Sequence, residues 1–247
     1  MIRSVVVGSF SLALAACASA GTDSERVDAR PFVDARPFVD ARPFVDARPF
    51  ADAGPGLGSP RLNEFVVNHV GPDTNEYLEV SGPANSNLSN LTIIIIEGDT
   101  NAEPGFVTGE YQLGTTNASG YWVTPFLDGV LQNGSQTILL VDGYISTTDV
   151  DSGNVGVIDN MTWTTTVDSV SIDDGDSGDR HYSSSKLSPD FDGVGFTVGG
   201  ASRIPNGTGQ WVRNNFDGQG LSCASCIGPA LSGEAINTPG AANSVQP

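Results

Sequence analysis

Cations are scarce in this chain. Beyond Pro60 there are five, Arg61, Arg180, Lys186, Arg203 and Arg213, against 22 carboxylates, and the whole sequence carries a net charge of −18. Nucleic-acid binding through phosphate neutralisation needs a basic patch. Five scattered cations do not make one, which argues against a nucleic-acid partner unless divalent cations bridge. The plain reading of such acidity is solubility or a salt-rich habitat. Long apolar runs are missing too: the one over residues 5–13 is shorter than the roughly 20 residues that span a bilayer. No stretch keeps a 3.6-residue apolar period with helix caps. The Gly-x-Ser-x-Gly elbow, His-Glu-x-x-His and a phosphate-cradling glycine loop are all absent. His69 and His181 stand among many serines and aspartates without a signature to join them, so the chain reads as a non-enzyme.

Cysteine is rare, three residues in all, and the first has an unusual setting. Leu14-Ala15-Ala16-Cys17 closes the N-terminal apolar run behind Arg3. A short basic region, an apolar stretch and small residues form a secretory leader, and a cysteine directly after them reads as a lipobox. Residues 1–16 are then the signal peptide and Cys17 the lipidated mature N-terminus, holding the protein to a membrane. Several acyl chains on one cysteine anchor stably where one chain does not. Ala18 replaces the Asp that retains lipoproteins at the inner membrane in enteric bacteria, so the expected location is the outer membrane of the cell envelope. The competing reading is an ordinary secretory signal cut after Ala16, Ala18 or Ala20.

Residues 17–60 form the next unit, a tether expected to be disordered. Val-Asp-Ala-Arg-Pro-Phe occurs four times without a change over residues 27–50. Proline at every sixth position removes a backbone donor and pushes the preceding arginine toward extended conformations, so helix cannot propagate. The period is far below the roughly 20–50 residues of stacking solenoids. Phe32, Phe38, Phe44 and Phe50 leave open a second reading, in which the repeats dock on an envelope partner or on one another.

From Arg61 onward the pattern is all-β. Strands are expected over residues 62–67, 76–80, 91–96, 120–124, 136–141, 155–158, 165–172, 194–198 and 210–212, with Gly and Asn/Asp clusters between them. Leu91-Thr92-Ile93-Ile94-Ile95-Ile96 is short and almost wholly apolar, which suits a mid-sheet strand buried on both faces. In the first strand Phe65 and Val67 are expected to face the core, with Glu64 and Val66 on the other side and Leu78 and Val80 across from them. Gly98, Gly143 and Gly207 sit where turns would want positive φ, and Thr238-Pro239-Gly240 reads as the exit from a last strand. This many short strands so spaced point to a β-sandwich.

At this point the sequence resembles a family. Arg61-Leu62-Asn63-Glu64-Phe65, Asn75-Glu76-Tyr77-Leu78-Glu79-Val80, Leu88-Ser89-Asn90-Leu91 and Asn237-Thr238-Pro239-Gly240-Ala241-Ala242-Asn243 are similar to the frame of bacterial lamin-tail domains. Residues 167–175 and 201–208 resemble segments of secreted members. Asn90-Leu91 departs from the Gly-Trp found there in many members. The resemblance implies an immunoglobulin-like β-sandwich over residues 61–243, followed by a tail of residues 244–247. It also implies attachment rather than chemistry, since such domains occur on extracellular bacterial proteins, sometimes beside nuclease or phosphatase domains.

Two local clusters carry possible chemistry. Asp173, Asp174, Asp176 and Asp179 crowd a glycine-rich stretch ahead of Arg180 and His181. Clustered carboxylates repel unless a hard cation or a base neutralises them, and Ca²⁺ accepts 6–8 oxygens in flexible geometry. The spacing is not that of an EF-hand, and a solvated turn is the competing reading; Asp149-Val150-Asp151 and Asp190-Phe191-Asp192-Gly193 are similar near misses. Cys223-Ala224-Ser225-Cys226 is read as a small disulfide loop outside the cytoplasm, with free or redox-active thiols second and half a zinc site third. The function expected is a surface-anchored, monomeric binding or adhesion module facing an extracellular protein or envelope polymer. The alternative is an extracellular hydrolase with a metal at the Asp-rich loops.

Overall fold

The computed structural model describes residues 58–193 and 195–247. The chain divides into two units, residues 1–47 and 48–247, and every described residue belongs to the second. The signal peptide, Cys17 and the repeats lie outside the described residues, as does Val194.

Two five-stranded sheets dominate, and no helix occurs among the described residues. The first sheet has the order β10-β9-β1-β2-β5, built from β1 (Arg61–Val66), β2 (Tyr77–Ser81), β5 (Tyr121–Val123), β9 (Gly200–Ile204) and β10 (Gln210–Arg213). The second has the order β4-β3-β6-β7-β8, from β3 (Leu91–Glu97), β4 (Val107–Gln112), β6 (Gln136–Asp142), β7 (Thr165–Ile172) and β8 (Lys186–Leu187). All pairings are antiparallel except β7 with β8. A short pair, β11 (Ala235–Ile236) with β12 (Ser244–Val245), closes the chain. Ordered pairing thus runs past Asn243, and Thr238-Pro239-Gly240 turns between these two strands rather than leaving a last one.

Alternation decides the faces. Leu62, Phe65, Val67, Leu78 and Val80 of the first sheet meet Ile93, Ile95, Ile138, Leu140, Val170 and Ile172 of the second in the main core. Phe65 lies opposite Leu78 and Leu62 opposite Val80, with a bulge at Asn63 that puts Glu64 and Val66 on the outer face. The outer face of the second sheet is buried as well. Ile94, Ile96, Leu139 and Val141 form a second cluster with Val150 and Trp163, supplied by the connection between β6 and β7. The apolar run of β3 therefore has both faces covered, as its composition indicated.

The sheets are tied together by Asp168 of β7. Its carboxylate accepts from the Leu62 amide at 3.0 Å and from Arg203 Nη2 at 3.1 and 3.2 Å. The Arg203 guanidinium also stacks on Trp211, 4.5 Å from the ring centre.

Some expected elements differ. Residues 155–158 form a loop, because the Val155 and Gly156 amides are taken by Asp151 at 3.0 and 2.6 Å instead of a ladder. Residues 195–198 pair with no strand; the Phe196 and Thr197 carbonyls accept from Arg213. β4 was not anticipated because Gly109 interrupts its inward side, and there the Ile95 and Tyr111 side chains fill the space a Cβ would occupy. Gly143 and Gly207 do have positive φ, 67° in each case. Gly98 does not; it is glycine because a Cβ would strike the Arg180 and Ser135 carbonyls.

Candidate functional site

The densest polar arrangement is a buried one that the sequence reading did not single out. Glu64 and Glu79 face each other across β1 and β2 on the outer side of the first sheet, 1% and 0% exposed. Residues 235–243 cover them. Glu64 Oε1 accepts from Ser202 Oγ at 3.0 Å and Asn214 Nδ2 at 2.9 Å, and Oε2 from Thr238 Oγ1 at 3.2 Å. Glu79 accepts from Asn63 Nδ2 and the Gly240 amide, both at 2.6 Å. Asn243 Nδ2 donates to the Asn63 and Arg203 carbonyls at 3.0 and 3.1 Å. Every donor to the two carboxylates is neutral. Burial raises both carboxyl pKa values; the charge of Glu64 lifts Glu79 further, well above the usual carboxylate range, while the hydrogen bonds hold Glu64 partly down. Asn63, Glu64, Glu79, Thr238, Gly240 and Asn243 thus meet at one place, where they fasten the C-terminal segment to the sheet. Alternation puts Glu64 on the side away from Phe65 and Val67, and nothing local marks either glutamate as buried. What hides them is a segment more than 150 residues away in sequence.

Of the four candidate calcium ligands, three converge. Asp173, Asp174 and Asp179 each offer an oxygen within 4.8 Å of the others, a spread compatible with Ca²⁺–O distances of about 2.3–2.6 Å. Asp176 is exposed, and only its backbone amide reaches the group, donating to Asp174 at 3.0 Å. Asp173 already has a cation: Lys186 Nζ lies 2.5 Å away, with the Gly175 amide at 2.9 Å and His181 Nε2 at 3.6 Å. Burial alone would raise the Asp173 pKa, but Lys186 and the Gly175 amide bring it below the ordinary value. Burial lifts Asp174, helped by Asp179.

The near misses are structural. Asp151 serves the Val155 and Gly156 amides and the Tyr182 hydroxyl, the last at 2.9 Å. Asp192 clasps Arg213 at 2.6 and 3.0 Å, and that guanidinium lies between Phe191 and Phe196.

Cys223 and Cys226 form a disulfide with their Cα atoms 5.1 Å apart. His69, distant in sequence, stands beside it, its Nδ1 3.9 Å from Cys226 Sγ. Near the β10 edge, Phe196, Phe216 and Leu231 are 61%, 43% and 68% exposed. With Arg213, Asn215, Asp217 and Glu234 they line an open cleft of about 310 Å³.

Set against protein-family profiles, curated protein sequences and solved structures, the chain matches none. Among the described residues no helix is long and apolar enough to cross a membrane.

Proposed function

We propose that this chain is a lipid-anchored envelope protein, held at the outer membrane through Cys17, whose lamin-tail-like sandwich is a binding or adhesion module and not an enzyme. The observation that carries this reading is how the polar groups are spent. Glu64, Glu79, Asp151, Asp168 and Asp192 are each occupied by internal donors or an arginine, whereas the apolar cleft of Phe196, Phe216 and Leu231 faces outward. Exposed aromatic surface rimmed by polar groups is characteristic of contact with a partner, here an extracellular protein or an envelope polymer. The test is in intact cells. A photo-crosslinking residue at position 196 or 216 is expected to capture envelope material, and one at Thr108 on the other sheet is not. Equal capture at all three, or none, overturns the cleft as the binding surface. Loss of membrane fractionation in Cys17→Ser is the companion result expected for the anchor.

The convergence of Asp173, Asp174 and Asp179 supports a second, compatible reading, a structural Ca²⁺ in that loop. Isothermal titration of Ca²⁺ into the chain, with Asp174→Asn as control, checks it; absence of binding heat refutes it. A hydrolase built on the same metal would also require turnover that Asp174→Asn abolishes.

A further inference from the structure

The Cys223–Cys226 disulfide has two unlike ends. Both cysteines are half-buried, and Cys223 stands between the exposed Ser222 and Ala224. Cys226 packs inward against the cluster of Val66, Tyr77 and Leu221, in a space that exists because residue 218 is glycine; a Cβ there would collide with Cys226 Sγ. The loop is fastened to the connection after β1 by Ser225 Oγ, which donates to the Val70 carbonyl at 2.8 Å. On that same connection His69 is 2% exposed, with Nδ1 3.0 Å from the Val70 carbonyl and 3.9 Å from Cys226 Sγ. A carbonyl only accepts, so the proton sits on Nδ1. The nitrogen that donates to the carbonyl is thus the one in contact with the inner sulfur, 3.9 Å from Cys226 Sγ.

We propose that Cys223–Cys226 is a thiol–disulfide exchange site, with Cys223 as the sulfur attacked, Cys226 as the leaving sulfur and His69 as the residue that positions a donor toward it. The partner is a thiol, small or protein-borne, and the reading is independent of the anchor and of the cleft. In the first step a thiolate R–S⁻ attacks Cys223 Sγ. The R–S–Sγ bond forms as the Sγ–Sγ bond breaks, and its electron pair leaves on Cys226 Sγ. The entering sulfur is oxidised, the Cys226 sulfur is reduced, and the negative charge moves from one to the other. A second thiolate then attacks the mixed disulfide at the R sulfur, releasing R–S–S–R and Cys223 thiolate. Exchange rates depend on which sulfur is reached and on how well the leaving thiolate is stabilised. An N–H donor beside a Cys-x-x-Cys sulfur favours the thiolate.

The experiment uses the full chain with Cys17→Ser, so that Cys223 and Cys226 are the two cysteines that remain, and reduced glutathione as the probe. After an acid quench, peptide mass mapping locates the first adduct while alkylation follows disulfide opening. The adduct is expected on Cys223. His69→Phe, which keeps an aromatic ring but removes the donor, is expected to open about tenfold more slowly, and His69→Gln, which restores an N–H, to recover part of the rate. An adduct on Cys226, or equally on both sulfurs, overturns the proposal without any His69 variant. A folded His69→Phe that opens at the parent rate overturns the role of His69.

Discussion

Replacing Ile94 by alanine should cost as much stability as replacing its neighbour Ile95, although the two side chains point to opposite faces of β3. In a sandwich whose outer surface met water, the outward residue would be a minor site, worth less than about 0.5 kcal/mol. Here Ile94 is 0% exposed and Ile95 2%. Ile95 sits in the core between the sheets. Ile94 sits under Val150 and Trp163, with Leu139 as its cross-strand partner. Truncation to alanine removes three buried carbons, about 2.4 kcal/mol at ~0.8 kcal/mol each, and the cavity left behind brings the total to about 2–5 kcal/mol. The loss of β propensity is common to both variants and drops out of their comparison. Urea unfolding of the parent, Ile94→Ala and Ile95→Ala gives both midpoints and m-values, with Thr108→Ala as an exposed reference. Losses of similar size at 94 and 95 are expected. If Ile94→Ala falls with Thr108→Ala while Ile95→Ala loses the full amount, the covering by residues 143–164 is not part of the stable fold.

Arg203→Met should lower stability by about 3–5 kcal/mol, since it strands Asp168, a mostly buried carboxylate at the junction of the two sheets; an equally stable variant in the same unfolding assay would remove that clamp from the argument. The pH dependence should have two limbs. Asp151 and Asp173 have pKa values below their ordinary ones, so the stability they contribute is present above the unfolded carboxyl range and is lost as pH falls through their folded values. Glu64 and Glu79 are raised, so their contribution is present below the unfolded value and is lost as pH rises through the folded ones, from just above the ordinary carboxylate range upward. Glu79→Gln places a donor against Asn63 or the Gly240 amide and should lower melting at every pH by an amount worth about 1–3 kcal/mol. The informative quantity is therefore slope: the decline of melting temperature with rising pH should flatten in Glu79→Gln, and an unchanged slope would refute a raised carboxyl pKa at Glu79.

How much of the molecule could be read from residues in order depends on the range of the interactions involved. Period-2 alternation in β1 and β2 and the apolar run in β3 are local, and they indicated the inward side of Phe65 and Leu78 and the burial of β3 on both faces. Gly109 breaks the same signal in β4, and β8 and β9 are too short or too polar to announce themselves, so they form by pairing with strands already placed. Residues 155–158 look like a strand because β-branched side chains there resemble one, yet Asp151 supplies their amides more cheaply than a ladder would. The aspartate cluster was visible, but its partner Lys186 was not, because a pairing across 13 residues follows from the parallel contact of β7 with β8.

By itself the sequence determined the class of the fold, the double-sided burial of β3 and the half-cystine pair, all of which rest on spacing over a few residues. Tertiary structure alone decided that Glu64 and Glu79 are buried, that His69 stands beside Cys226, and that Asp192 belongs to Arg213. Those outcomes depend on which distant segment covers each polar group. A carboxylate on an alternating strand carries no mark of whether water or another stretch of chain will lie above it.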